Sequence, residues 1–320
     1  MSSTSGLKAN SHKTERLRAK NRKWKQVKND YALYVMLLLP IIYLIIFKYV
    51  PMTNIVIAFK NYNMFQGIWK SPWVGLDIFK QVFSMDGFYR ALRNTIVLNF
   101  LDLIVGFPAP ILLALLINEI CFKKFKKLTQ TVVYMPHFLS WIIISGIALQ
   151  VFAPNTGLVN LLLRKFGMEA VPFLNEPVHW IISYILIGVW QSIGWNTIIY
   201  LAAITGVNTE LYEAAVVDGA NRWKKIWHVT LPGIRPTIVT LLILNLGRIL
   251  SIAFDRPYAL SNYFVTNVGD VISTFVYRVG LQSQQYSIAT AVGLFQSLVC
   301  IIFLVIANII TERLGEEGIM

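Results

Sequence analysis

Six stretches of the chain are long and apolar enough to cross a lipid bilayer as helices. A spanning helix needs about 20 mostly apolar residues, and each of these stretches reaches that length with few charges in its middle. The predicted spans are Tyr31–Val50, Asn94–Ile117, Thr131–Phe152, Ile181–Ile204, Gly233–Phe254 and Ser287–Ile310. The sequence therefore predicts an all-α integral membrane protein with six transmembrane helices.

The composition excludes the soluble classes of protein. Apolar residues make up 56% of the chain and charged residues 14%, whereas a soluble domain has about 45–50% and about 25%. A soluble fold with so few charges has no means of covering that much apolar surface. Two cysteines are too few for a disulfide scaffold.

The basic residues predict how the spans are oriented. Loops on the cytosolic side carry an excess of Lys and Arg. With the N-terminus inside, the inner segments hold 18 of the 29 basic residues and the outer loops hold 9. Both termini are therefore expected in the cytosol. The net charge of +13 then reflects topology and contact with anionic lipid headgroups, so no nucleic-acid partner is expected.

These spans divide the chain into four expected parts. A basic cytoplasmic arm covers residues 1–30 and is followed by the first anchor and an extracytoplasmic loop, residues 31–93. A five-helix core covers residues 94–310 and contains a cytosolic loop at 210–232. A cytoplasmic tail, residues 311–320, completes the chain.

The loop at 210–232 has a pattern of its own. Apolar residues recur at helical spacing from Leu211 to Val216, which predicts a short amphipathic helix. Asp218-Gly219 is a turn dipeptide. A second helical stretch follows, and Pro232 is predicted to break it before the next span. The loop is thus expected to form a helix–turn–helix at the cytosolic membrane face.

The same loop resembles the EAA loop of ABC importer permeases. The matching positions are Glu213, Ala214, Ala215, Asp218, Gly219, Ala220, Ile226, Leu231 and Pro232. From about Arg90 onward the chain resembles the binding-protein-dependent sugar-uptake permeases, which implies the type I ABC importer permease fold in a bacterial cytoplasmic membrane. The later segment Tyr277-Arg-Val-Gly-Leu-Gln resembles a subgroup associated with complex oligosaccharides, often derived from pectin or alginate.

The resemblance also implies the partners. They are an ABC ATPase dimer that uses ATP and Mg, a second homologous permease, an extracytoplasmic solute-binding protein and the sugar itself. No catalytic residue and no bound cofactor is expected on this chain. The sequence agrees, because a P-loop requires GxxxxGK[ST] and no Gly here is followed by Lys. In the loop, small alanines suit close approach of a partner, and Glu213 and Asp218 suit basic groups on it.

Polar side chains inside the predicted spans are candidate substrate contacts, because burying them in a bilayer is costly. Four of them in the fifth span fall within about 120° of arc on an ideal helix. The candidates are Gln191, Trp195, Asn196, Asn245, Arg248, Ser251, Asp255 and Gln296. Structural roles stay open: Arg248 as a snorkelling or paired cation, Trp195 as packing. The histidines show no metal-ligand spacing, so no metal site is predicted.

Two other functions remain open at this point. A secondary transporter built from inverted repeats needs paired interruptions in both halves, and the one at Gly106–Pro110 has no clear counterpart. A membrane-embedded transferase needs clustered acids or histidines, and the 16 acidic residues are scattered. Copurification with an ATPase separates both from the ABC permease.

Overall fold

A computed structural model describes residues 30–313, and this part of the chain is helical. Its one β-type contact is an isolated antiparallel bridge between Lys60 and Trp73. The chain divides into two compact units, Met1–Val56 and Ile57–Met320. The predicted basic arm, except for Asp30, and residues 314–320 of the predicted tail lie outside the described residues.

The first unit contains the most N-terminal span. Its helices are α1 (Tyr31–Leu44) and α2 (Val50–Met52), joined by a π-helical segment, Ile45–Tyr49. Because α1 is apolar on every side, it has the pattern of a membrane helix rather than of an amphipathic surface helix. Together with the following 3₁₀ segment, Thr53–Phe59, it forms a candidate span of 29 residues.

The second unit contains the other helices. They are α3 (Gly67–Lys70), α4 (Asp77–Phe83), α5 (Asp86–Leu101), α6 (Pro108–Asn118), α7 (Lys123–Tyr134), α8 (Trp141–Phe152), α9 (Leu158–Lys165), α10 (Pro177–Thr205), α11 (Thr209–Val217), α12 (Arg222–Lys225), α13 (Leu231–Leu246), α14 (Asp255–Leu260), α15 (Thr266–Gly269), α16 (Ile272–Val276) and α17 (Tyr286–Arg313). Helix α17 includes the first three residues of the predicted tail. Short π segments, Asp102–Gly106, Ile226–Thr230 and Tyr277–Gln282, interrupt this series.

The predicted spans recur in the structure with one qualification. Within residues 30–313, five helical stretches are long and apolar enough to cross a membrane, and a sixth exists only if a strongly bent pair counts as one span. The four straight ones in the second unit are Asp86–Asn118, Pro177–Thr205, Arg222–Leu246 and Tyr286–Arg313. The bent pair is Lys123–Phe138 with Trp141–Phe152.

The prediction of one continuous third span was wrong. Its two helical parts meet at 104°. Pro136 lies in the 3₁₀ turn Met135–Phe138 just before the break, and proline is incompatible with an unbroken helix ladder. Ser140 then starts α8 anew, since its hydroxyl accepts a hydrogen bond from the Ile143 N–H at 3.4 Å.

Two boundaries around the fifth span also differ from the prediction. Pro232 does not break the helix: Arg222–Leu246 is one helical stretch, and the wider π turn Ile226–Thr230, which ends two residues before Pro232, accommodates its missing N–H. At the other end, α13 stops at Leu246 instead of continuing to Phe254. Asn245 and Asp255 therefore do not share one helix face, and the predicted arc is wrong.

Helix α10 holds the second unit together. Trp180 at its start is fully buried, and its indole N–H donates to the Leu260 carbonyl at 2.8 Å. Further along, the buried Thr197 hydroxyl donates to the Pro110 carbonyl at 3.2 Å, which ties α10 to α6. These contacts leave a space between α10, α6 and α13 in the middle of the unit.

Candidate functional site

A cavity of about 420 Å³ occupies the space between these helices. Its wall combines apolar side chains with amides, two hydroxyls and two charges. The lining residues are Asn99, Asp102, Leu103, Gly106, Phe107, Pro110, Asn196, Ile199, Tyr200, Leu241, Leu244, Asn245, Arg248, Ile249 and Ser251. Four of the eight predicted substrate residues thus meet here: Asn196, Asn245, Arg248 and Ser251.

Part of the cavity wall is backbone that is not regular helix. After α13 ends, two carbonyls lose their helical partners and gain side-chain donors. The Asn99 amide donates to the Ile249 carbonyl at 2.6 Å, and the Gln296 amide donates to the Leu250 carbonyl at 2.7 Å. Non-helical backbone at membrane depth is tolerated where it is buried in protein or lines a wet cavity. Gln296, one of the predicted substrate contacts, thus uses its side-chain amide to hold the protein backbone.

Arg248 extends into the cavity from this irregular segment and is exposed there. No hydrogen bond or ion pair joins its side chain to any residue within 30–313. An arginine in a membrane span costs about 2.5–3.5 kcal/mol at the helix centre, so it requires water or an anionic partner. Asn245, one turn earlier, uses its amide N–H on the Leu241 carbonyl at 2.7 Å and leaves its side-chain oxygen available.

The second charge in the cavity wall, Asp102, is neutralised by a residue that sequence reasoning missed. Arg256 donates to both carboxylate oxygens, at 2.7 and 3.2 Å, and to the Tyr184 carbonyl at 2.6 Å. Its guanidinium also lies 3.7 Å from the centre of the Tyr184 ring, a cation–π contact. Since Arg256 satisfies Asp102, Arg248 is the uncompensated charge of the lining.

Gly188 makes room for this ion pair. A Cβ atom at that position would overlap the guanidinium of Arg256. The pair therefore requires glycine on the facing turn of α10. Two sequence signals indicate such a pair: Asp102 is a lone acid inside an apolar run, and Arg256 lies just beyond the end of another apolar run.

The other predicted substrate residues lie outside the cavity wall. Gln191 donates to the His137 carbonyl at 3.4 Å, and Trp195 stacks on the His137 ring with centroids 4.5 Å apart. Both side chains thus pack against the turn that bends the third span. Asp255 is exposed at the start of α14.

The loop at 210–232 forms the predicted helix–turn–helix. Helix α11 ends in a Schellman motif, in which the Ala220 N–H donates to the Ala215 carbonyl at 2.8 Å and the Gly219 N–H to the Val216 carbonyl at 3.0 Å. Gly219 has a φ of +73°, the left-handed conformation that favours glycine. Asn221 then caps α12 through the Lys224 N–H at 2.9 Å.

One hydrogen bond joins the two arms of this loop. The hydroxyls of Tyr212 and Thr230 lie 3.0 Å apart. On the solvent-exposed surface of the loop lie Glu213 and Ala214. Large apolar side chains are exposed there too: Val217 is 87% exposed and Trp223 is 69% exposed. A fixed turn with small and apolar residues facing outward is suited to contact with another protein.

Comparison with known proteins identifies relatives over nearly the full chain. The family model described as Binding-protein-dependent transport system inner membrane component matches residues 85–316, which include the cavity and the loop. Protein LplB of Bacillus subtilis (strain 168) is 43% identical over 293 residues, 92% of each chain. The Polygalacturonan/rhamnogalacturonan transport system permease protein YteP of the same organism is 46% identical over 295 residues, again 92% of each.

Two solved structures have the same fold. One is a bacterial ABC transporter involved in the import of the acidic polysaccharide alginate; a chain of it matches with a TM-score of 0.83 and 43% identity, over 91% of this chain and 99% of that one. The other is the bacterial alginate ABC transporter in complex with an alginate pentasaccharide-bound periplasmic protein, with a TM-score of 0.84, 42% identity and coverage of 92% and 99%. The predicted type I importer permease fold is confirmed.

Proposed function

Since this chain belongs to the family of binding-protein-dependent transport system inner membrane components, we propose that it carries acidic oligosaccharides through the membrane for an ATP-driven importer. Family membership makes it a multi-pass permease subunit of the inner membrane and excludes the secondary transporter and the transferase. ATP is hydrolysed on a separate ATPase subunit. The expected partners are an ATPase dimer, a second homologous permease and a solute-binding protein.

The uncompensated Arg248 in a polar cavity is the observation that carries the substrate proposal. A planar guanidinium matches a carboxylate with two parallel hydrogen bonds. Asn196, Asn245 and Ser251 add hydrogen-bonding groups for sugar hydroxyls. The named substrates of the relatives fit this chemistry, because alginate is described as acidic and polygalacturonan is a chain of uronates.

Arg248→Lys is expected to reduce the response to acidic glycans selectively. Lysine keeps the charge and loses the fork, so about tenfold more uronate oligosaccharide should be needed for half-maximal ATPase stimulation. The response to a neutral oligosaccharide of equal length should change less. The measurement uses the reconstituted complex with its binding protein, and Arg164→Lys, an exposed arginine away from the cavity, is the control. If the response falls equally for both glycans, or if the complex no longer assembles, Arg248 has a structural role and the substrate proposal is wrong.

The cytosolic loop is proposed as the joint with the ATPase. In this proposal Glu213–Leu231 docks into a groove of that subunit, with Glu213 and Asp218 facing basic groups and the alanines permitting close approach. The exposed apolar side chains on the outer side of the loop support the proposal. So does the conformation of Gly219, which makes the turn a defined shape rather than a flexible link.

Both termini are proposed to face the cytosol. Cysteine at Phe65, which is 99% exposed in the loop proposed to be extracytoplasmic, should react with an impermeant thiol reagent in intact cells. Cysteine at Ser11 should react only after the membrane is opened. Cys121 and Cys300 are replaced first. Labelling of Ser11→Cys in intact cells would show that the N-terminus faces outward and would contradict the proposed orientation.

A further inference from the structure

The segment Tyr277–Gln282 forms a π turn and lines a second pocket of about 220 Å³. The pocket shares no lining residue with the central cavity. Tyr277, Arg278 and Gln282 come from this turn, and Tyr258 comes from α14. π turns within helices are frequent at functional sites. Neither the loop at 210–232 nor the central cavity includes this segment, so the functions proposed above give it no role.

One wall of the pocket is aromatic. The rings of Tyr258 and Tyr277 lie 5.5 Å apart, and Phe254 supports both, at 4.6 and 4.8 Å between ring centroids. Although it packs against these rings, Tyr258 remains 53% exposed. An aromatic ring that is held by neighbours and open on one side is suited to the apolar face of a pyranose.

The other wall contains an ion pair between Asp270 and Arg278, and a second arginine, Arg90, which does not line the pocket, lies near the same carboxylate. The Asp270 carboxylate, with its side chain 3% exposed, accepts hydrogen bonds from both terminal nitrogens of Arg278 at 2.7 and 3.1 Å. Arg90 lies 3.9 Å from the same carboxylate. One buried anion therefore faces two arginine side chains, which are 40% and 41% exposed. Arg278 uses two of its five N–H donors on Asp270 and keeps the others.

We propose that this pocket is a second glycan subsite that binds a uronate residue. The pyranose face lies on Tyr258, and the carboxylate meets the outer side of Arg278, which Asp270 holds in position. Gln282, which is exposed, offers its amide to the sugar hydroxyls. This inference rests on the proposed function, since it assumes that the importer carries acidic oligosaccharides.

The subsite is close enough to the cavity to bind the same oligosaccharide. Ser251 lines the cavity and Tyr258 lines the pocket, and the chain between their Cα atoms, with six intervening residues, spans at most about 25 Å. A longer glycan is therefore able to occupy both sites. A short one fills only one of them.

Glycan length consequently separates this subsite from the cavity. In the reconstituted complex, Tyr258→Ala should raise the concentration of a long uronate oligosaccharide needed for half-maximal ATPase stimulation about threefold to tenfold, since an aromatic contact is lost. A uronate disaccharide should be unaffected. Tyr263→Ala is the matched control, because Tyr263 is 89% exposed on the neighbouring turn and does not line the pocket.

Arg278→Lys tests the charged wall. It also provides an independent test if the Tyr258→Ala variant fails to assemble into the complex. It should weaken the response to long uronates more than to long neutral glycans. If the parent complex responds to uronates and both variants match it at every length, the subsite is refuted and the proposed function stands. If the parent complex responds to no acidic glycan, the proposed function fails and the subsite fails with it.

Discussion

Gly219→Val is expected to abolish coupled uptake while the protein still inserts into the membrane. A β-branched residue at a φ of +73° costs about 1–3 kcal/mol of backbone strain. A Cβ at this position would meet no atom within 4 Å, so the substitution changes the turn and not the packing. The two arms of the loop should then lose the angle that is proposed to present α11 to the ATPase.

Gly167→Val provides the matched control. Gly167 also has a positive φ, +78°, and open space where a Cβ would lie, but it follows α9, in a loop proposed to be extracytoplasmic. It should show similar strain without loss of coupling. Ala215→Trp adds the steric counterpart, since a bulky side chain on α11 should block docking even with the turn intact.

Uptake, ATPase copurification and ATP turnover should be measured together on matched amounts of protein. Gly219→Val and Ala215→Trp should lower uptake by at least about tenfold, the loss expected when a strained or blocked joint costs more than about 1.4 kcal/mol. The ATPase should either be lost or turn over ATP without following substrate. If both variants keep all three values at the parent level, the loop is not the joint with the ATPase.

The sequence predicted features whose cause is local. Runs of apolar residues at spanning length require helices in a bilayer, since every backbone group must be bonded within the segment. The turn at Asp218-Gly219 depends on the one residue type that adopts positive φ freely. These features follow from neighbouring residues in the chain, so they are visible without tertiary structure.

The features that escaped prediction depend on distant residues. Helix α13 ends at Leu246 because two carbonyls beyond it find donors in Asn99 and Gln296, which lie on other spans. An ideal-helix projection through Asn245 and Asp255 has no access to those partners. The projection nevertheless named Arg248 and Ser251, which do line the cavity. Both are polar residues in an apolar run, and that signal does not depend on whether the backbone is helical.

The pairing of Asp102 with Arg256 also escaped prediction because the two residues are distant in the sequence. This pairing determines the charge of the cavity. The sequence shows one acid and one base among the lining residues, which would be neutral if they paired with each other. Arg256 instead satisfies Asp102 from outside the lining, with 2.7 Å between the charged atoms. The cavity wall is therefore positive at Arg248.

Removing either member of this ion pair is expected to destabilise the protein strongly. Arg256→Met leaves Asp102 without a counterion, and breaking a buried pair costs about 3–5 kcal/mol. The lower end of that range is expected, because the Asp102 side chain is 28% exposed to the cavity. Asp102→Leu leaves Arg256, 14% exposed, with the Tyr184 carbonyl and the rings of Tyr184 and Trp141 but without a counterion. Each single variant should unfold several degrees below the parent protein.

The double variant Asp102→Leu with Arg256→Met should recover much of this loss, because no uncompensated charge remains buried. Thermal unfolding of the purified protein in detergent measures all three variants against the parent. Lys80→Met, at an exposed ion pair with Asp77, is the control and should change stability by less than about 1 kcal/mol. Additive losses in the double variant would mean that the two side chains act independently. Recovered stability would show that they are coupled, and Arg248 would then remain the uncompensated charge of the cavity wall.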